Sequence, residues 1–324
     1  MPVMNIVQAV NDALREEMTA DDRTVVFGED VGKVGGVFRT TAGLQETFGV
    51  DRVVDTPLSE GSILGCAVGM ALYGMRPIAE IQFADFIFPG FDQIVNEMAK
   101  YRYRTGGQFK MPVTIRTPYG GGIKGGHYHS QSPESYFTNT PGLKVVMPSN
   151  PHDAKGLLIA AIRDEDPVIV MEPKLIYRTV KGEVPAGSYT VPIGKAAVAR
   201  PGKDVTIIAY GAMTHNALQA ANMVAGDGID AEVIDLRTLV PLDIETIVTS
   251  VIKTGRVIIV HEAPRTSGYG AELVAVINEH CFLNLEAPPV RITGYDTPFP
   301  YSLDIEYMPT PAKIAGAIRR TVNY

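Results

Sequence analysis

Glu60 combines a residue type and a position that suit acid–base chemistry. It lies in the segment DTPLSEGS, where a predicted strand is followed by the predicted start of a helix. The helix dipole and free backbone N–H groups stabilise a carboxylate there by about 0.3–1 kcal/mol, so one interpretation is an ordinary helix-start acid. The other is a general acid or base, because α/β folds bind ligands at the carboxyl ends of their parallel strands.

Two histidines, His127 and His129, lie in the glycine-rich segment YGGGIKGGHYHSQSPE. This composition predicts a loop that closes over a site, and the ordinary pKa of histidine, about 6.5, suits proton transfer. Two loop histidines without a catalytic role are the alternative interpretation. A metal site would need a third ligand at suitable spacing, and none is evident.

Four phenylalanines crowd the segment IQFADFIFPGFD, which begins at a predicted strand. Phe88 and Phe91 are predicted to belong to the core, because aromatic side chains usually bury their large apolar area. Phe86 follows the strand end, where its ring is able to pack on a flat heterocycle instead.

The triplet Gly226-Asp227-Gly228 matches the beginning of the thiamine diphosphate signature, but the rest of that signature is missing. The signature requires an asparagine further along the chain, and the corresponding stretch VIKTGRVII contains none. We therefore predict that the triplet is a glycine-rich turn that ends a helix.

Predicted strands and helices alternate along the chain, which is typical of an α/β fold with a mostly parallel sheet. Around the candidate residues, the pattern predicts a helix over 59–73, a strand over 77–83 and a helix over 90–103.

Residues 178–203 interrupt this alternation with glycine, proline and charged residues. Such a composition is typical of a linker between domains. We therefore predict a first domain over 1–185, a linker over 186–203 and a second domain over 204–324.

Composition excludes several classes of protein. The chain has 324 residues, and its 29 basic and 36 acidic side chains give a formal net charge of −7, which argues against a nucleic-acid partner. Its two cysteines are too few for a disulfide framework, and no apolar run is long enough to span a membrane. The N-terminal segment has the features of neither a signal peptide nor an arginine-rich transit peptide, so we expect a soluble, cytoplasmic protein.

Several long segments, taken together, resemble the β subunit of the decarboxylating component of 2-oxo acid dehydrogenase complexes. They include GEDVGKVGGVFRTT, RVVDTPLSE, AEIQFADFIFPGFDQI, HYHSQSPE, HEAP and GYDTPFPY, and the resemblance covers essentially the whole chain. The stretches CFLNLEAP and GYDTPFP look most like the branched-chain enzyme. The pyruvate and acetoin enzymes share most of the other motifs.

The resemblance implies two α/β domains: a parallel-sheet pyrimidine-binding domain of the thiamine diphosphate-binding fold, then a transketolase C-terminal-type domain. The implied activity is oxidative decarboxylation of a branched-chain 2-oxo acid, with transfer of the acyl group to a lipoyl domain. Family active sites lie between α and β subunits of an α₂β₂ heterotetramer, and the α subunit holds the diphosphate and Mg²⁺. A dihydrolipoyl acyltransferase is a further expected partner.

Two alternatives to this function stay open. One is the same chemistry on pyruvate or acetoin, which the shared motifs do not exclude. The other, of a different class, is a non-catalytic scaffold that only assembles the complex. The presence of both Glu60 and His129 argues against the scaffold, because a scaffold needs neither.

The resemblance also implies roles for individual residues. Glu60 would hydrogen-bond the pyrimidine ring nitrogen of thiamine diphosphate, and His129 would transfer a proton during acyl transfer to the lipoyl group. Phe86 would pack on the pyrimidine face, where branched-chain relatives often carry tyrosine. The remaining implied positions are Glu29, Leu58, Ser59 and Gln82 for the cofactor, and Phe83, Ala84 and Asp85, with Phe86 and His129, for the substrate.

A potassium ion beneath the histidine segment is a further implication of the resemblance. Its ligands would be carbonyls or side chains of Val113, Thr114, Ala161, Asp164 and Asp166. The alternative interpretation of the acidic residues 164–166 is a solvated turn.

Overall fold

The computed structural model describes residues 1–324 and divides into two compact units. The first unit comprises residues 1–119 and 136–193, and the second comprises residues 120–135 and 194–324. The change from first to second unit at residues 193 and 194 falls inside the predicted linker. Residues 120–135, called the histidine segment below, belong to the second unit although they interrupt the sequence of the first.

The first unit is built on parallel strands. Its strands are β1 (Val3–Asn5), β2 (Thr24–Gly28), β3 (Val53–Asp55), β4 (Arg76–Glu80), β5 (Thr114–Tyr119), β6 (Lys144–Val146), β7 (Val168–Pro173) and β8 (Lys181–Glu183). Six of them are neighbours in the order β6-β7-β5-β4-β2-β3, and every pair in this row is parallel. Because helices cover parallel sheets, these strands are largely buried, and all five residues of β2 are buried.

Helices join the strands of the first unit. They are α1 (Ile6–Ala20), α2 (Leu44–Phe48), α3 (Glu60–Leu72), α4 (Ala99–Arg104) and α6 (Pro151–Arg163), with α5 (Glu134–Thr138) at the end of the histidine segment. α1 packs on α6, and the apolar side of α1 is fully buried at Ile6, Ala13 and Leu14.

The segment IQFADFIFPGFD, residues 81–92 and called the aromatic segment below, departs from the predicted elements. β4 ends at Glu80, so residues 81–83 are not strand, and short 3₁₀ turns follow over Ala84–Phe86 and Phe88–Gly90. The predicted helix over 90–103 is a π-helix over Gln93–Met98 that continues into α4. A π-helix leaves no distinct sequence period, and such helices are often found at functional sites.

Glycine is required where α3 meets the second of these 3₁₀ turns. A Cβ atom at Gly90 would lie 2.2 Å from the Leu64 side chain, and one at Gly61 would lie 3.1 Å from the carbonyl oxygen of Pro89. The missing side chains let the two backbones approach closely. This contact holds the first turn of α3 beside the aromatic segment.

The second unit is also α/β. Its strands are β9 (Ala197–Arg200), β10 (Val205–Ala209), β11 (Ala231–Asp235), β12 (Thr238–Val240), β13 (Val257–Val260) and β14 (Val290–Ile292), and its helices are α7 (Ala212–Ala225), α8 (Ile244–Thr254), α9 (Tyr269–Cys281), α10 (Asp304–Tyr307) and α11 (Pro311–Val322). Five strands form a sheet in the order β14-β13-β10-β11-β9, in which only β9 is antiparallel. The predicted α/β fold is therefore confirmed, while β8 and β9 occupy a region for which the sequence predicted no strand. None of the helices has both the length and the apolar character needed to cross a membrane.

Candidate functional site

The candidate site of the first unit begins at α3. Glu60 is the first residue of this helix, and Ser59 precedes it as the N-cap, with its hydroxyl 2.9 Å from the Ser62 hydroxyl. The Thr56 N–H donates to the carbonyl oxygen of Gly28 at 2.9 Å, which ties the chain before α3 to the end of β2. Leu58, an apolar residue two positions before Glu60, is 77% exposed.

Glu29 and Glu60 form a pair of neighbouring acids. Glu29 directly follows β2, and its pKa is raised by partial burial, by the charge of Glu60 and by that of Asp30. A raised carboxyl pKa next to a second carboxyl is a common feature of sites that hold or move protons. The structure therefore brings together two acids that are 31 positions apart in the sequence.

A row of aromatic rings extends from the candidate site into the first unit. The rings of Phe86 and Phe83 meet edge to face with centroids 5.6 Å apart, Phe83 and Phe38 at 5.5 Å, and Phe38 and Tyr177 at 5.2 Å. The ammonium of Lys174 lies 5.7 Å from the centre of the Phe83 ring. Because each ring packs against the next, the orientation of Phe86 is linked to the buried Tyr177.

The remaining predicted positions surround this row. Ala84 and Asp85 are buried in the 3₁₀ turn, whereas Phe83 and Phe86 are half-buried. The Gln82 side-chain amide donates to a carboxylate oxygen of Asp30 at 3.3 Å, which links the aromatic segment to the loop after β2.

A buried ionic cluster lies at the end of this aromatic row, and the sequence reasoning missed it. Arg116 of β5 donates to both carboxylate oxygens of Glu172 at 2.7 and 3.0 Å and to Glu80 at 2.7 Å, while the Tyr177 hydroxyl donates to Glu172 at 2.6 Å. Burial raises the pKa of Glu80 and the nearby Glu172 adds to this, while Arg116 acts in the opposite direction. The available signal was a charged residue in β5, in β7 and at the end of β4, three strands that are made mostly of uncharged residues.

The loop after β2 is fastened to this ionic cluster. The Thr40 hydroxyl donates to Glu80 at 3.3 Å, and the Thr41 hydroxyl donates to the Val31 carbonyl oxygen at 2.7 Å. Gly36 has a φ of +78°, and a Cβ atom there would lie 3.0 Å from a carboxylate oxygen of Glu80. The cluster thus fixes the loop that carries Glu29.

His129 belongs to the second unit, within the histidine segment. The segment turns back on itself, because the Gly120 N–H donates to the Gln131 carbonyl oxygen at 3.0 Å and the Gln131 amide donates to the His127 carbonyl oxygen at 3.0 Å. The Gly121 N–H donates to Glu262 at 2.7 Å. The His127 ring meets the Tyr301 ring edge-on, with centroids 5.0 Å apart.

Two buried ionisable groups of the second unit have strongly shifted pKa values. Burial and the nearby Glu262 raise the pKa of Glu134 to about 8, although the Tyr210 hydroxyl donates to its carboxyl at 2.7 Å and acts in the opposite direction. Burial, with the positive charge of Arg291, lowers the pKa of His261 to about 4. At neutral pH both side chains are therefore mainly uncharged.

The residues predicted for potassium lie at the amino ends of β5 and β7. Both carboxylate oxygens of Asp164 accept from Lys144, at 2.8 and 2.7 Å, and Asp166 accepts from Arg102 at 2.7 Å. The Val113 carbonyl oxygen accepts from the Val168 N–H at 3.0 Å, and the Ala161 carbonyl oxygen accepts from the Asp164 N–H at 3.2 Å. Thr114 is buried as the first residue of β5. No group of three or more histidine, cysteine or acidic side chains is arranged to hold a metal ion.

The triplet Gly226-Asp227-Gly228 is a turn after α7. Gly226 caps the helix, Gly228 has a φ of +81°, and Asp227 pairs with Arg319 at 2.7 Å. The prediction of a helix-ending turn is confirmed.

Comparison with known proteins agrees with this architecture. The family description "Transketolase, pyrimidine binding domain" matches residues 3–180, and "Transketolase, C-terminal domain" matches residues 194–314. A solved structure titled "Split gene transketolase, inactive beta4 tetramer" superposes with a TM-score of 0.80 at 25% identity, and the match covers 99% of this chain and 98% of that one.

Two curated relatives extend the comparison over the full chain. The mitochondrial 2-oxoisovalerate dehydrogenase subunit beta of Dictyostelium discoideum is 58% identical over 99% of this chain and 87% of its own length. The pyruvate dehydrogenase E1 component subunit beta of Bacillus subtilis is 50% identical over the whole of both chains. The chain belongs to the family of 2-oxo acid dehydrogenase β subunits, as the sequence motifs predicted.

Proposed function

We propose that this chain is the β subunit of a thiamine diphosphate-dependent dehydrogenase that decarboxylates branched-chain 2-oxo acids and transfers the acyl group to a lipoyl domain. The observation that carries the proposal is the carboxylate of Glu60 at the first turn of α3, next to Glu29 and the aromatic segment. The higher identity to a 2-oxoisovalerate enzyme, 58% against 50% for a pyruvate enzyme, favours a branched substrate.

The residues present fit the pyrimidine end of thiamine diphosphate. A pyrimidine offers ring nitrogens and flat apolar faces, and the first unit offers a pair of acids and a half-buried phenylalanine ring. When bound, the cofactor supplies the electron sink that decarboxylation of a 2-oxo acid requires. The diphosphate and Mg²⁺ would be held by the α subunit of an α₂β₂ heterotetramer.

The chain's own residues then have separable tasks. Glu60 holds a proton at the pyrimidine ring nitrogen, and Glu29 is a further cofactor contact. Phe86 fixes the pyrimidine face. The remaining cofactor contacts come from Leu58, Ser59 and Gln82. The substrate lies near Phe83, Ala84 and Asp85. His129 donates a proton during acyl transfer to the lipoyl domain of a dihydrolipoyl acyltransferase.

Two further assignments belong to the same proposal. The cytoplasm is the proposed compartment, and the two free thiols, Cys66 and Cys281, are compatible with its reducing conditions. Potassium is proposed near Val113, Thr114, Ala161, Asp164 and Asp166, where it would compete with the ammonium of Lys144 for Asp164.

Glu60→Gln tests the carboxylate. In the complex with the α subunit, we expect decarboxylation of 3-methyl-2-oxobutanoate to fall by roughly 100-fold or more, because general acid–base groups contribute about that much. Glu245→Gln is the matched control, since Glu245 also lies in the first turn of a helix but is 86% exposed. Near-normal activity of Glu60→Gln would rule out the proposed role.

The substrate is tested by comparing 3-methyl-2-oxobutanoate with pyruvate in the same assay, using an artificial electron acceptor. We expect a higher kcat/KM for the branched acid. A preference for pyruvate would move the protein to the alternative substrate, and no activity with any 2-oxo acid would favour the scaffold.

A further inference from the structure

The histidine segment is seated on two motifs that have no role in the proposed reaction, HEAP and GYDTPFPY. Glu262 of the first motif is 5% exposed and accepts the Gly121 N–H at 2.7 Å. A Cβ atom at Gly120, whose φ is +91°, would lie 2.8 Å from both carboxylate oxygens of Glu262. The carboxylate therefore fits closely against the backbone at the start of the segment.

The second motif supplies two aromatic rings to the same segment. A Cβ atom at Gly121 would lie 2.2 Å from the Phe299 ring, and one at Gly126 would lie 2.3 Å from the Tyr301 ring. Lys124 is also held, because its N–H donates to Asp304 at 3.2 Å. Glu262, Phe299 and Tyr301 are called the seat below.

The far end of the segment reaches the same buried region. Glu134 is fully buried, accepts from Tyr210 and lies close enough to Glu262 for the charge of Glu262 to affect it. Between these two ends, a Cβ atom at Gly125 would lie 2.7 Å from the Cβ atom of His129. The segment is thus anchored at both ends and tightly folded around His129.

We propose that Glu262 is a positioning residue for His129: by accepting the Gly121 N–H, its carboxylate anchors the histidine segment on the seat and so fixes where the imidazole lies. The inference rests on the proposed role of His129 for its consequence in the reaction. The anchoring itself is independent of that role. Loss of the carboxylate frees the start of the segment, and small displacements of a reacting group are costly to the rate.

Trypsin tests the anchoring without any activity measurement. Lys124 is an exposed residue within the segment, and Lys33 is an exposed residue in a loop of the first unit. In the full chain, we expect Glu262→Ala to speed cleavage after Lys124 roughly tenfold or more, because a charge-assisted hydrogen bond is lost, and to leave cleavage after Lys33 unchanged. Glu272→Ala, which removes an exposed acid from α9, is the matched control.

Two half-reactions test the consequence for His129. In the complex with the α subunit, we expect Glu262→Ala to slow acylation of a lipoyl domain roughly 10- to 100-fold. Decarboxylation measured with an artificial acceptor should change much less, since the proton transfer proposed for His129 belongs to the acyl-transfer step. Glu262→Gln keeps an acceptor oxygen and is expected to restore most of the acylation rate.

A steric variant keeps the inference testable if Glu262→Ala does not fold. Gly121→Ala places a methyl group into the Phe299 ring, so cleavage after Lys124 should rise. Gly226→Ala is the control, because no atom lies within 4 Å of a Cβ there.

The outcomes separate the two proposals. Unchanged cleavage after Lys124 in both Glu262→Ala and Gly121→Ala would overturn the anchoring. If His129→Ala leaves lipoyl acylation intact, the proposed role of His129 is wrong while the cleavage result still decides the anchoring. Slow acylation by His129→Ala with normal acylation by Glu262→Ala would overturn the positioning role.

Discussion

Each unit buries a pair of neighbouring glutamates, Glu80 with Glu172 in the first and Glu134 with Glu262 in the second, and the two pairs are stabilised by different partners. In the first unit, one guanidinium, that of Arg116, binds both Glu80 and Glu172. In the second, a tyrosine hydroxyl binds Glu134, and burial together with Glu262 raises the pKa of Glu134 to about 8.

The difference shows two ways to keep acids inside a protein. A buried ion pair keeps charge and depends on its cation, so removal of the cation leaves charge without a partner. A buried acid with a raised pKa keeps a proton, so the free energy of unfolding of the protein depends on pH. The first solution supports the loop that carries Glu29, and the second joins the end of the histidine segment to Tyr210.

Removing the cation is expected to have the largest effect. Arg116→Leu should lower the free energy of unfolding by about 3–5 kcal/mol, because the carboxylates of Glu80 and Glu172 stay buried without their partner. Urea denaturation of the full chain measures this. A loss below about 1 kcal/mol would show that the pair is not held by charge compensation.

The pH dependence of stability distinguishes the second pair. The pKa of Glu134 is about 8 in the folded protein, against an ordinary value of 4.5. Between these two pH values, Glu134 is therefore protonated in the folded protein and ionised in the unfolded chain. Its contribution to stability is therefore present below about pH 4.5 and is lost as the pH rises to 8, by up to about 1.4 kcal/mol per pH unit. Glu134→Gln mimics the protonated acid and should remove this slope.

Unfolding free energies at pH 5, 6, 7 and 8 check this prediction for the wild type and for Glu134→Gln. The two curves should diverge as the pH rises, with the variant the more stable at pH 8. Parallel curves would mean that Glu134 is ionised in the folded protein.

The two tyrosines offer a smaller test. Tyr177 donates to Glu172, which is ion-paired with Arg116, whereas Tyr210 donates to the protonated Glu134. Hydrogen bonds to charged groups contribute about 1.5–3 kcal/mol and neutral ones about 0.5–1.5 kcal/mol. In urea denaturation at pH 6, Tyr177→Phe should therefore cost more than Tyr210→Phe, and the reverse order would contradict the assigned charges.

An exposed ion pair is expected to give the smallest change in the free energy of unfolding. Asp227 and Arg319 are both nearly half exposed and pair at 2.7 Å. Arg319→Ala should change the free energy of unfolding by only about 0–1 kcal/mol, since water solvates both partners. A loss comparable to that of Arg116→Leu would show that burial does not govern these effects.

Local patterns predicted much of the fold. The predicted helix over 59–73 corresponds to α3, which Glu60 begins one residue after the predicted start. The predicted strand over 77–83 was too long: β4 ends at Glu80, and the chain goes on to the 3₁₀ turns that meet α3 through Gly90, a contact that the local sequence does not reveal. The π-helix over Gln93–Met98 has no sequence period to detect.

The contacts that fix the site could not be predicted in the same way. Arg116 and Glu172 are 56 residues apart, and Gly121 and Glu262 are 141 residues apart. A charged residue inside an apolar strand indicates that a partner exists, but it does not identify that partner. Residue type, position and motif resemblance together identified Glu60 and His129 as candidates, whereas the side chains that hold their surroundings emerged only from the fold.

The division of the chain gives the histidine segment an unusual position during synthesis. On a ribosome, Gly121 is made long before Phe299, with 178 residues between them (299 − 121). At about 5–20 residues per second, the segment would wait roughly 9–36 s for its seat, while the first unit already has its own strands. A glycine-rich sequence tolerates such a delay, because it has few apolar side chains with which to misfold.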